Sequence, residues 1–435
     1  MRGLALVLFL ALAFVPPAFA GGGVGARLDR IEPAPKGWRG PVFAPRFDYP
    51  ASAGADVYPW QAVSFRKEPE RYLRTLLAYA LSGQDREHWR LAANPLRRWY
   101  HVPWLGPGAN GREFIHGLTR ARDLAPGELG AAQTACRQNW ALAFYNDVGA
   151  AALGQMWGHG GRDPDLSALP FPAGTVAVKL VFTEATVADD PRLAGAPELE
   201  ANIHVDPLPD DAACVRSAGA DGKPTARSPR LLRLIQVDVA TREDRASYKT
   251  GWVFGSFIYD GRLNGGDPWA KLKPMGLMWG NDPQLADAAA AGGAKPRQSI
   301  VFEAGAGFGR GGRMNGVVDE RASACSSCHM AAQWPTVAPM IAPAEWAQGR
   351  CWFRNLDARY PFGFAPGQRR GCADLAALRQ TQSLDFSLQL AVALRNWSLE
   401  RARGTKPVRT AVGMLARGRG EMLKVDGLDI VPLRR

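Results

Sequence analysis

The chain is 435 residues long, 46% hydrophobic and 22% charged, with a net charge of +12. These proportions are those of an ordinary globular protein with room for a large core or two domains; they exclude a disordered or fibrous chain. The charge is spread rather than blocked, as in any arginine-rich composition. It would suit an acidic protein partner or anionic lipid headgroups.

The first twenty residues read as an export signal. Met1-Arg2 is a short positive start, Leu4 to Val15 is unbroken and apolar, and Ala18-Phe19-Ala20 is a small-x-small cleavage site. The apolar run is shorter than the roughly 20 residues that a spanning helix needs. The expectation is cleavage near Ala20 and Gly21 and an exported, soluble mature chain. No later run approaches spanning length, so no integral membrane span is expected, and nucleic acid is a poor partner for an exported protein.

Residues 21–59 are rich in Gly, Pro and Arg and predict an extended arm. Leu73, Leu76, Leu77 and Leu81 recur at helical spacing and predict a helix over Pro69 to Leu81. Trp89 to Arg122 is aromatic and loop-like and contains His101 and His116. Trp140 to Trp157 is apolar and small; periodicity leaves a buried helix and a strand pair both open. Thr175 to Phe182, Leu231 to Val239, Trp252 to Tyr259 and Ser299 to Glu303 are β-branched or aromatic and predict strands. Long loops are expected between them at Asp206 to Pro229 and Asn264 to Pro274. Strands at this spacing imply a mainly antiparallel sheet.

Gly305 to Gly316 is glycine-rich and carries Arg310, Arg313 and Met314, but lacks the strand-to-helix fingerprint of a phosphate loop. Asp385 to Ala402 predicts an amphipathic closing helix. The fold class is therefore α+β, with the sheet in the middle of the chain, helices in its N-terminal part and a helical region at its C-terminus. The expected divisions are a signal peptide at 1–20, an arm and helical region at 21–165, a β-rich region at 166–304 and a last region at 305–435.

Within that last region lies Cys325-Ser326-Ser327-Cys328-His329. Cys and His are each 6 of 435 residues, so a chance CxxCH is rare. The pattern is the attachment site of a c-type haem. Two thiols form thioether links to one porphyrin, and the histidine offers an imidazole nitrogen to the iron. On a helix the three side chains share one face. The competing readings are a redox CxxC pair, which lacks a βαβ context here, and half of a zinc site, which lacks a second CxxC or an HxxxH.

The motif and the export signal together resemble the periplasmic mono-haem c-type cytochromes. That resemblance implies one covalent haem c on Cys325 and Cys328, His329 as axial ligand, electron transfer in the periplasm and a redox-protein partner. The motif lies late in the chain, whereas small cytochromes of this kind carry it near the mature N-terminus. The order of strands first and CxxCH last is similar to that of β-rich c-haem proteins in which a lysine cross-links the porphyrin. Gly174 to Lys179 and Gly251 to Phe254 carry that likeness. The cross-link is not carried over, because Lys179 reads as an exposed strand residue.

Arg310 and Arg313 are candidate propionate contacts, against the alternative of solvated arginines. Met340 is the favoured sixth ligand; Met314, Met275, Met278, His101, His116, His159 and His204 are the other candidates. A filled sixth position makes an electron carrier. An open one makes a haem enzyme or a sensor of gas or peroxide, and a redox-complex scaffold is a third reading. Glu303, Asp319 and Glu320 are near the motif in sequence only and read as solvated carboxylates. Four cysteines remain, and the preferred pairing is Cys136–Cys214 with Cys351–Cys372.

Overall fold

The computed structural model describes residues 29–54, 58–106, 111–158, 164–205, 214, 226–246, 249–302, 309–335, 352–357, 381–404, 423–425 and 428–430. Its centre is one antiparallel sheet of nine strands. Helix α1 (Pro69–Leu81) precedes β1 (Trp99–Tyr100), β2 (Thr119–Arg120) and β3 (Asn139–Asn146). Helix α2 (Asp147–Trp157) is followed by β4 (Val176–Thr183), β5 (Glu198–His204), β6 (Arg227–Arg242), β7 (Trp252–Tyr259) and β8 (Leu272–Met278). Helix α3 (Asp287–Ala291) and β9 (Ser299–Val301) complete it. The order is β1-β3-β4-β6-β7-β8-β9, with β2 beside β3 and β5 beside β6. After the sheet come α4 (Cys325–Met330), the small β10 (Gln333–Trp334) and β11 (Gln382–Ser383) pair, and α5 (Leu388–Gly404).

The central antiparallel sheet, α1 and the irregular arm agree with the sequence reading. Strand side chains alternate between faces, and here both faces are covered. Leu142, Phe144, Val178, Leu180, Val237, Val239 and Phe257 belong to one core with Leu73, Leu76 and Leu77 of α1. A Cβ on Gly255 would run into Leu73, so the bare glycine lets α1 lie close on the sheet. Tyr145, Trp252, Phe254, Met275 and Met278 belong to a second core with Met314, Met330, Phe386 and Leu390. The arm runs along the N-terminal side, where Phe43 N donates to Phe114 O at 2.7 Å and His101 N to Arg46 O at 3.1 Å.

Three expectations change. Trp140 to Trp157 is neither helix nor strand pair alone: it holds most of β3 and all of α2. Asn146 makes the switch, its Oδ1 accepting from Gly149 N at 3.2 Å and Val176 N at 2.9 Å. The sheet therefore takes strands from both sides of the division expected at residue 165. The expected loop at Asn264 to Pro274 ends in β8, where Met275 and Met278 are buried. Proline at 274 hid this strand, yet β8 still pairs with β7 and β9. Cys136 and Cys214 form a disulfide, as preferred; Cys351 and Cys372 lie outside the described residues. Among the described residues no helix is long and apolar enough to cross a membrane.

Candidate functional site

The CxxCH segment is a short helix, and its serines explain how it starts. Ser327 Oγ accepts from Ala324 N at 2.8 Å, which ties the side chain at the third helical position back to the residue before the helix. Cys325 N donates to Met314 O at 3.1 Å, and Ser326 N points at Met278 Sδ at 3.3 Å. These contacts seat α4 against β8 and the loop before it, on the second face of the sheet.

Cys325, Cys328 and His329 all lie in the wall of one cavity of about 330 Å³. Its size and largely apolar wall are those of a small-molecule or cofactor site. The sheet makes room for it with small residues: Ala141 and Ala143 of β3, Ala177 of β4 and Ala240 of β6 line the wall. Tyr145, Trp252 and Phe254 supply aromatic faces, and Phe386, Leu388 and Val392 close the far side. A porphyrin fits these residues in chemistry: two thiols and an imidazole at one edge and apolar walls around them.

His329 has the setting of a metal-binding imidazole. Its Nδ1–H donates to the Phe386 carbonyl at 2.8 Å, the second-nitrogen bond that metal-ligating imidazoles commonly make. Phe254 packs on the ring with centroids 4.8 Å apart. The thiols do not have the setting of a redox pair. Burial, then the charges of Asp319 and Asp238, push the Cys325 thiol well above its usual value, whereas reactive pairs depress it. Among the described residues no three His, Cys, Asp or Glu side chains cluster as an ion's ligand set.

The cavity also has a polar side. Across the sheet Ala143, Lys179, Asp238 and Ser256 stand in one row, each opposite the next on neighbouring strands. Lys179 is therefore not an exposed strand residue; it is half-buried in the cavity wall. Ser256 Oγ donates to Asp238 Oδ1 at 2.7 Å, and Gln236 Nε2 lies 2.8 Å from Asp238 Oδ2 and 3.2 Å from Asp319 Oδ2. Gln236 thus bridges the two carboxylates. Burial first and the Asp319 charge second push the Asp238 carboxyl up to about 7, against the opposing pull of Lys179 and of the Ser256 and Gln236 hydrogen bonds. Asp319 and Glu320 were read as solvated and near the motif in sequence only; both line this cavity. Arg120 pairs with Asp123 at 2.7 Å, and Arg122 pairs with Glu128 and, at 3.5 Å, with Glu320; all five side chains except Glu128 line the wall.

The remaining expected residues fall elsewhere. Arg310 pairs with Asp287 at 2.5 Å, and Arg313 is buried, donating to Asn281 O, Asp282 O and Leu285 O with its guanidinium 4.2 Å from the Phe353 ring centroid. Neither lines the cavity, so neither is placed for a propionate; Arg313 instead holds the chain around 281–285. Met314, Met275 and Met278 pack in the second core, and none lines the cavity. His101 is buried, with Nδ1 accepting from Arg46 N at 3.0 Å; His116 bonds Glu200 O at 3.0 Å; His204 ends β5 beside Trp140. None of the three lines the cavity either. Met340, His159 and Glu303 lie outside the described residues. Asp238 and Gln236 carried a signal in the sequence: polar residues at 236 and 238 alternate with Val237 and Val239, which marks one face of a strand as unlike a core. Comparison of the chain with family models, with curated proteins and with solved structures returns no match.

Proposed function

We propose that this chain is an exported c-type haem protein whose C-terminal region and sheet together hold one haem c, and that it binds and acts on a small protic ligand at the iron. Cys325 and Cys328 are the attachment residues and His329 the axial ligand. Bound there, the haem supplies a one-electron couple and an iron position for small molecules. The observation that carries the choice of an open site over a plain electron carrier is the cavity wall. It sets Lys179, Asp238 and Asp319 together, groups that can hold or move a proton beside a ligand.

Each of these groups has a task that its environment supports. Asp238, with its carboxyl near 7, is poised to take up or give a proton at neutral pH. Gln236 bonds both carboxylates and holds Asp238 of the sheet beside Asp319 of the turn before α4. Lys179 supplies a neighbouring positive charge. The alanine wall leaves room for the porphyrin itself, and peroxide or hydroxylamine is the kind of small protic ligand that these proton-handling groups would serve.

Carbon monoxide tests the reading. The reduced protein should bind it and shift its absorbance, and Met340→Leu should leave that shift unchanged. A low-spin spectrum indifferent to carbon monoxide, made responsive by Met340→Leu, would return the chain to the electron carriers. Haem absent from denatured wild type, or retained after Cys325 and Cys328 are both changed to Ala, would overturn covalent attachment itself.

A further inference from the structure

Two consecutive residues beside the axial histidine stand in the left-handed region: Asp385 with φ 48° and Phe386 with φ 65°. Neither side chain adopts it without cost, and such residues persist only where their surroundings over-determine them. Here the surroundings do so through Asp385. Its carboxylate is fully buried; Oδ2 accepts from Phe171 N at 2.9 Å and Oδ1 from Arg242 Nη1 at 3.3 Å. Arg242 is itself fixed at the end of β6, where the same Nη1 donates to Thr250 O at 2.9 Å. On either side the chain is pinned, by Leu384 N on Ala332 O at 3.0 Å and by Ser387 Oγ against the Tyr145 hydroxyl at 2.8 Å. The strained turn delivers one group: the Phe386 carbonyl, which accepts the His329 Nδ1–H.

We infer that Asp385 is a positioning residue for the axial ligand. Anchored to Arg242 and to the Phe171 amide, it holds the Asp385–Phe386 turn so that the Phe386 carbonyl fixes the tautomer, orientation and donor strength of His329. A backbone acceptor cannot be tuned by its own side chain, so control passes to the carboxylate that shapes its turn. An outer partner of this kind makes a ligating imidazole more basic and favours oxidised iron. This inference rests on the proposal that His329 binds haem iron.

The test compares wild type with Asp385→Ala and Asp385→Asn in the full exported chain. Haem staining after denaturation is read first, and its absence from wild type counts against the haem proposal rather than against Asp385. Asparagine keeps an acceptor for Phe171 N and tolerates the left-handed backbone, but has no charge for Arg242. With haem attached, Asp385→Ala should raise the reduction potential and lower the iron–histidine stretching frequency of the reduced protein, and Asp385→Asn should shift both in the same direction by less. If alanine prevents folding, the asparagine shift alone decides. An unchanged potential and stretching frequency in the haem-bearing variant that folds would overturn the role.

Discussion

Asp238 sits on a strand in the middle of a sheet, yet behaves as a group of the cavity rather than of the core. Its carboxyl holds a proton more tightly folded than unfolded, because burial and Asp319 oppose its charge. Protonation therefore favours the folded state: that contribution is whole below about pH 4 and is lost as pH rises through about 7. Wild type should lose thermal stability across this interval, and Asp238→Asn should lose less of it. Melting temperatures at pH 4.5 and pH 8 check this; parallel falls in both proteins would refute it. The same substitution should flatten the pH dependence of any ligand chemistry near pH 7 by removing the titrating group. Lys179 faces the opposite test. Lys179→Met leaves the strand's length and packing but takes away the charge beside Asp238, so the pH at which Asp238 titrates should rise further.

At the scale of the strand, β4 and β6 do two jobs with alternate residues. Leu180 belongs to the α1-facing core, and Ala177 to the cavity wall. Leu180→Ala should cost about 2–5 kcal/mol of stability, as large-to-small changes in a core do, and leave the haem spectrum in place. Ala177→Leu should reverse the pattern, filling the cavity and cutting the yield of covalent haem while the sheet still folds. Urea denaturation and denaturing-gel haem staining separate the two. The strands that carry this division were partly legible. The β-branched runs at 175–182 and 252–259 announced β4 and β7, and the helical leucines announced α1. The motif announced two thiols and an imidazole, and the structure sets all three in one cavity wall. Lys179 and Asp238 were not legible as partners, because the pairing that sets them side by side joins residues 59 positions apart. Asp319 was discounted for the converse reason: nearness in sequence says nothing about which carboxylates turn inward. Arg310 and Arg313 misled because the residues that bind them, Asp287 and the 281–285 backbone, lie outside their own glycine-rich segment.

For the whole molecule, the Cys136–Cys214 disulfide closes a separation of 78 residues and ties β3's approach to the segment before β6. Changing both cysteines to Ser should lower stability by about 2–5 kcal/mol, read as a lower urea midpoint. The basic surface bears on encounter rather than on fold. With a net charge of +12, reduction by an acidic redox protein should slow as ionic strength rises; a rate independent of salt would remove electrostatic docking from the account.

The alternation along β4 and β6 has a consequence for how this chain can change. Substitutions act one face at a time, but the loss or gain of a single residue within either strand shifts every later side chain to the other face. Lys179 would then exchange places with a core valine or leucine, and Asp238 with Val237 or Val239. A change of length in these two strands should therefore cost more than a change of side chain, and single-residue insertions should be tolerated better in the connections between strands.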